Sequence, residues 1–193
     1  MLRLFIGLPL PAEVRRLLSS LAAGIPQARW TTADNLHVTV RFIGEVDEPT
    51  AEAVDAALGT IRAPAFDLTV AGCGTFDSRN QAHTLWAGVE RSPALVRLRD
   101  KVESSLVRAG LAPERRRFRP HVTLARLKAA PTARLQDFIA AHNLLRATVR
   151  ADAFVLYSSQ LAHGDPVYTA LATYPLGEGQ DQAHSRSITS HSM

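Results

Sequence analysis

Apolar residues recur along this chain in two rhythms, alternating in some stretches and spaced three or four apart in others. "RLFIGLPL" is dense in apolar side chains and is stopped by Pro9 and Pro11, which predicts an opening strand. In "PAEVRRLLSSLAAGI" the positions Val14, Leu17, Leu18 and Leu21 have helical spacing behind Pro11, a residue suited to a helix start. "LHVTVRFIG" is rich in β-branched residues and ends at Gly44, so it predicts a strand. "EPTAEAVDAALGTI" predicts a second helix, starting near Glu48 or Thr50, with Ala53, Val54, Ala57, Leu58 and Ile61 on one face.

The same reading continues downstream. "FDLTVAGCGTF" and "HTLWAGVE" predict two strands joined by the turn-rich "DSRNQ". "SPALVRLRDKVESSLVRAG" predicts a third helix, with Ser92 as N-cap, Pro93 behind it, an apolar face of Leu95, Leu98, Val102 and Leu106, and Gly110 as the stop. "HVTLARL" is a strand, a helix follows from about Thr132 to His142, and "RATVRADAFVLYSS" and "VYTALATYPL" are extended. The order is β-α-β-α-β-β-α-β-α-β-β, a coarse duplication that predicts two similar α+β lobes facing each other. Beyond Gly177 the chain has no periodicity and, Ile188 apart, no large apolar residue. Residues 1–176 are therefore expected to form one bilobal domain, and 177–193 a disordered tail that removes His184 and His191 from consideration.

Composition narrows the classes. At 193 residues with 46% hydrophobic and 21% charged residues, the chain can bury a full core without disulfides or metal. A single cysteine, Cys73, excludes an intramolecular disulfide and a Cys-rich zinc site, and is expected to be a buried structural thiol. No apolar run approaches the roughly 18 residues of a membrane span, and no signal-peptide layout is visible, so a cytoplasmic protein is expected. The net charge of +4 is modest, but Arg115, Arg116, Arg117 and Arg119 crowd ahead of one strand that Arg126 ends, and Arg41 sits in another. As a set they suggest phosphate attraction.

Those two strands share a motif. "NLHVTVRF" and "RPHVTLAR" both read His-Val-Thr-aliphatic, and random order of the same residues would give only roughly 0.04 such His-Val-Thr triplets. Side chains two apart share a strand face, so His37 and Thr39 point one way, as do His121 and Thr123, with Val38, Val40, Val122 and Leu124 turned to the core. Two imidazoles can pass protons in opposite directions near neutral pH, and two hydroxyls can hold phosphate oxygens. Metal-free phosphodiester hydrolysis fits this inventory. Neither strand places Asp or Glu beside its histidine, and no Gly-x-Ser-x-Gly elbow is present, so metal and serine-nucleophile chemistry fit less well. By alternation Arg41 shares the face of His37, whereas Arg126 points away from it unless the strand bulges. Phe42, Trp30 and Tyr157 are read as core residues before base-stacking ones, and His83, His142 and His163 as structural or surface residues.

The two signatures, with "RLFIGLPLP", "ADNLHVTVRFIGEV", "GTFDSR", "LWAGVE", "FRPHVTLAR", "FVLYSSQL" and "YPL", resemble the two-histidine (2H) phosphoesterase superfamily. Within it the likeness is to bacterial and archaeal RNA 2′,3′-cyclic phosphodiesterases, also called 2′-5′ RNA ligases, and covers about residues 2 to 176. The resemblance implies a bilobal α+β fold with mainly antiparallel sheets, helices outside and a pseudo-two-fold cleft. It implies no cofactor, an RNA 2′,3′-cyclic phosphate end as substrate (tRNA fragments or small cyclic nucleotides among them), and a monomer. It further implies His37 as proton donor, His121 as proton acceptor, and Thr39, Thr123 and Arg126 as phosphate ligands, with Arg41 within reach. The product would be a 2′-phosphomonoester. Two alternatives stay open at this stage: reversible 2′-5′ ligation of RNA, and a module that binds RNA ends without turnover.

Overall fold

The computed structural model describes residues 1–78, 81–162 and 165–177, so His163, His184, His191 and the expected disorder of the tail lie outside the described residues. The chain runs β1 (Leu2–Pro9), α1 (Ala12–Ser20), β2 (Arg29–Trp30), a 3₁₀ turn (Ala33–Asn35), β3 (His37–Val46) and α2 (Glu48–Gly59). It continues through β4 (Phe66–Ser78), β5 (Gln81–Val89), α3 (Pro93–Arg108), β6 (His121–Arg126), α4 (Thr132–Ala141), β7 (Arg146–Ala151), β8 (Ala153–Ala162) and β9 (Asp165–Pro175). Local chemistry sets several boundaries. Ser92 Oγ accepts from the Leu95 N–H at 3.2 Å, Pro93 takes the first helical position, and Gly110 ends α3 at φ 97°, where a side chain would be strained. Asp47 caps α2 in the same way through the Thr50 N–H. The α3 face of Leu95, Leu98, Val102 and Leu106 is buried as its spacing predicts.

Two features were not visible in the residue pattern. The two-residue strand β2 pairs with β6, Arg29 opposite Arg126 and Trp30 opposite Ala125. The extended stretch from Arg146 is two strands with different destinations: β7 pairs with β4, and β8 pairs with β1. The strands line up as β7-β4-β5-β6-β3-β1-β8-β9, every ladder antiparallel. The sheet thus has two four-stranded halves, β3-β1-β8-β9 and β6-β5-β4-β7, joined only where Val38 pairs with Val122. Each half contains β-α-β from one part of the chain and a strand pair from the other. β4 follows α2 yet joins β5, and β8 follows α4 and β7 yet joins β1. The lobes are therefore interleaved in sequence, not consecutive as the duplication suggested. Helices α2 and α3 pack on each other and over β1, β3, β4 and β9, with α4 against β4. Leu4, Ile6, Leu8, Val38, Val122, Leu85, Leu98 and Leu106 are fully buried in the core, each side chain contributing about 1.5–3 kcal/mol of burial.

Both His-x-Thr strands carry the same irregularity. The β1–β3 register steps from Gly7↔Thr39 to Ile6↔Arg41, passing over Val40, and the β5–β6 register steps from Trp86↔Thr123 to Leu85↔Ala125, passing over Leu124. A bulge at the fourth motif residue puts two successive residues on the core side, Val40 with Arg41 and Leu124 with Ala125, all buried. The fifth residue after each histidine, Phe42 or Arg126, is thereby returned to the working face.

Arg41 must be corrected on this ground. Simple alternation put it on the working face, but the bulge turns it toward α3, where its Nε donates to Glu103 Oε2 at 2.7 Å and its Nη2 to the Ala112 carbonyl at 2.8 Å. Glu114 lies 3.6 Å from Nη1. With Arg41 only 9% exposed, and Glu103 and Glu114 14% and 17%, the arginine neutralises two half-sequestered carboxylates, and only its edge borders the cleft. Replacing Arg41 by Ala strands both, so the variant should lose about 2–4 kcal/mol of unfolding free energy in urea titration, with cleft chemistry in the surviving folded fraction changed little.

Candidate active site

The antiparallel pairing of Val38 with Val122 fixes the geometry of the motifs. It sets His37 opposite Thr123 and Thr39 opposite His121, all on the face away from the two valines, so each histidine neighbours the other strand's threonine. Both imidazoles are half-buried and held alike. His37 Nδ1 lies 2.7 Å from the Asn35 carbonyl, and His121 Nδ1 lies 2.7 Å from the Arg119 carbonyl. A carbonyl only accepts, so each Nδ1 carries the proton and each Nε2 is left for the cleft. The Thr39 hydroxyl sits 3.0 Å from His37 Nε2 and donates to it while the ring is neutral.

Aromatic rings box in both histidines. His37 packs on Phe5 at 4.7 Å and stands edge-on to Tyr168 at 5.3 Å, while His121 stands edge-on to Phe76 at 4.8 Å. Desolvation by these walls, more than the nearby His121, lowers the His37 pKa to about 4, against the opposing pull of the Asn35 carbonyl. His121 is lowered as well, first by burial and then by the positive charge of Arg126. Both rings are neutral at pH 7 in the free protein.

Two adjoining cavities meet between the histidines. One, of about 450 Å³, contains His37; the other, of about 440 Å³, contains His121. Arg3, Thr39, Phe42, Thr123 and Arg126 line both. Two hydroxyls and two guanidinium groups thus converge where the cavities overlap, flanked by one imidazole on each side, an arrangement suited to an anionic tetrahedral group. Arg126 is held there by the buried Thr84, whose hydroxyl accepts from its Nη1 at 2.8 Å. Arg3 lies over the Phe42 ring at 5.2 Å.

The sequence-derived residues fare unequally. His37, His121, Thr39, Thr123 and Arg126 are brought together, and Arg41 is not. Of the aromatic residues, Phe42 and Trp30 line a cavity, whereas Tyr157 is stacked on Phe5 at 5.0 Å behind the site. His83 bonds the Thr84 hydroxyl and His142 the Phe138 carbonyl, away from the cleft. Cys73 is half-buried, and burial pushes its thiol up to about 11. Residues missed by the sequence reading are Arg3, Phe5, Phe76, Thr84 and Tyr168. Arg3 and Phe5 were within reach, since alternation along "RLFIG" puts them on the face opposite Leu4 and Ile6. Among the described residues no group of three or more His, Cys, Asp or Glu could hold a metal ion.

An antiparallel sheet with pseudo-symmetric halves, each presenting one His-x-Thr strand to a common cleft, defines the 2H phosphoesterase class. The chain belongs to the 2′-5′ RNA ligase superfamily, whose family profile matches residues 11–162. It is 36% identical over 168 residues to the RNA 2′,3′-cyclic phosphodiesterase of Aeropyrum pernix, covering 82% of this chain and 92% of that one. It is 32% identical over 179 residues to the Escherichia coli enzyme of the same name, covering 90% and 96%. The crystal structure of E. coli LigT complexed with 3′-AMP superposes with a TM-score of 0.74 at 30% identity, covering 91% of this chain and 98% of that one.

The electrostatics of the free site are directly measurable. In NMR titration of the free protein the His37 ring should protonate near pH 4, and saturating inorganic phosphate should raise both histidine pKa values, because an anion beside an imidazolium favours the charged form.

Proposed function

We propose that this chain hydrolyses the 2′,3′-cyclic phosphate at an RNA end to a 2′-phosphomonoester, using its two histidines as acid and base. The observation that carries the reading is the overlap of the two cavities: four phosphate-compatible side chains at the centre and one histidine on each flank. In-line displacement at phosphorus needs the attacking and leaving oxygens on opposite sides, and the flanking imidazoles serve those two positions. Thr39, Thr123, Arg126 and Arg3 hold the non-bridging oxygens and the charge that develops on them. On the His37 side, Trp30, Tyr168 and Asn35 line a cavity that takes the terminal nucleoside.

The roles follow the family pattern. His121 Nε2 takes a proton from water as its oxygen attacks phosphorus, and the P–O3′ bond breaks. His37 Nε2 gives its proton to O3′. The bound anion supplies the imidazolium with the partner that the free site lacks. This reading takes residues 1–176 as one bilobal unit acting as a cytoplasmic monomer, since every group it uses comes from one chain. Among the described residues no helix is long and apolar enough to cross a membrane. RNA fragments, cleaved tRNA among them, are the intended substrates, with small cyclic nucleotides as minimal versions.

An oligoribonucleotide ending in a 2′,3′-cyclic phosphate, incubated in excess chelator, should yield a 2′-phosphate. A 3′-phosphate product, or no turnover, refutes the reading. His37→Ala and His121→Ala should each lower kcat by about 10² to 10⁴-fold while the fold survives.

The pH profile has a definite sign. Above its lowered pKa His121 is already the free base and gains nothing as pH rises, while the protonated fraction of His37 keeps falling. On a pH–rate profile, kcat/KM should therefore decline by about tenfold per pH unit above roughly pH 6.5, with the kcat limb displaced upward by the bound anion. A kcat/KM that climbs through neutrality would contradict these roles.

A further inference from the structure

Water needs no pocket of its own, yet a third cavity, of about 400 Å³, opens beyond His121, on β4, β5 and the loop leading into β6. Its floor is aromatic. Trp86 lies across Gly74, where a Cβ would come within 2.3 Å of the indole, so glycine is what lets the ring lie flat on the neighbouring strand. Phe76 stands 5.5 Å from Trp86 and continues the floor to His121. The ladder pairs Trp86 with Thr123 and Gly88 with His121, which puts this floor on the same face as the second motif. Phe118 and Pro120 close the other side.

The rim is basic. Arg91, Arg117 and Arg119 are exposed around the opening, and none has a hydrogen-bond or carboxylate partner among the described residues. Elsewhere on the surface Arg116, Arg146 and Arg150 are each paired with an acidic side chain. The next hollow outward shares Arg91, Arg117 and Phe118 with this one and adds Arg99 and Arg116, so the basic surface continues away from His121. A flat aromatic floor beneath unpaired guanidinium groups fits a nucleobase with phosphate beside it.

We propose that this cavity is a second nucleoside subsite, which seats the RNA nucleoside whose 5′-hydroxyl takes the place of water. The proposal rests on the hydrolytic reading above, in which His121 serves the attacking oxygen. The 5′ oxygen then attacks phosphorus and gives its proton to His121 as the P–O3′ bond breaks, and O3′ takes the proton of His37. The products are a 2′-5′ phosphodiester and a free 3′-hydroxyl. In reverse, the 3′ oxygen attacks, His37 takes its proton, and the expelled 5′ oxygen is protonated by His121. One nucleoside occupies the His37 cavity and the other the cavity on Trp86.

Two substrates separate this subsite from the hydrolytic centre: a ribonucleoside 2′,3′-cyclic monophosphate and a 2′-5′-linked diribonucleotide. Arg91→Glu should lower kcat/KM for cleavage of the dinucleotide by roughly tenfold or more. It should leave hydrolysis of the cyclic monophosphate within about twofold, and Arg91→Lys should restore most of the loss. Equal losses on both substrates, no loss on either, or a wild-type protein that leaves the 2′-5′ linkage intact would overturn the proposal. Occupancy has its own readout. The chain has two tryptophans, so in Trp30→Phe the emission reports Trp86 alone. A 5′-hydroxyl diribonucleotide should quench it, more weakly once Arg91→Glu is added, and an unchanged emission counts against the subsite. Quenching by a protein that hydrolyses no cyclic phosphate would support the subsite and refute the hydrolytic reading.

Discussion

One main-chain pairing, Val38 with Val122, joins the two halves of the sheet, and the cleft is built around it. Because strands alternate, burying those two valines on one face obliges His37, Thr39, His121 and Thr123 to appear together on the other. Antiparallel order then crosses the pairs, bringing each imidazole beside the opposite hydroxyl. A parallel meeting of the same strands would have set histidine beside histidine and threonine beside threonine, with no common point for a phosphate between two imidazoles. The matched bulges extend the arrangement. By inserting one residue after each motif they bring Arg126 into the cleft from one strand and Phe42 from the other, so the pseudo-symmetric frame carries an asymmetric lining.

The free site is poised against charge. Its histidines are neutral because aromatic walls exclude water from them, while Arg3 and Arg126 stand beside them with their positive charge. An anion entering the overlap of the cavities relieves both conditions at once. It pairs with the guanidinium groups and makes a protonated imidazole affordable. Binding and the arming of the acid are in this way a single electrostatic event, which needs no movement of the backbone.

Much of this was legible in the residues, and the limits have physical causes. The period-two pattern gave the paired His-Thr faces, and helix periodicity with Ser92 and Gly110 gave α3, because both signals are local. Arg41 was misplaced because a bulge is decided by the partner strand's register, which alternation along one strand does not contain. Arg126 depended on the same bulge, and only family likeness pointed to it. The exchange of β4 and β8 between the halves was hidden for a related reason: β7 and β8 abut at Asp152, and nothing in a continuous run of strand-forming residues says that the chain changes neighbours there. Arg3 was overlooked although its alternation with Leu4 and Ile6 was plain.

The exchange of strands also bears on how the molecule comes into being. β1 ends at Pro9, and the strand that covers its second edge, β8, begins at Ala153. At a ribosomal pace of about 5–20 residues per second, that edge stays open for roughly 7–30 s after β1 is made. The half built from β4, β5, β6 and β7 has all its strands before β8 exists, and so can assemble first. The half that holds His37 closes last, through contacts of long sequence separation, which are the slow ones to form. A nascent chain therefore carries an unpaired apolar strand for most of its synthesis, and acid and base come to face each other only when the final hairpin has docked.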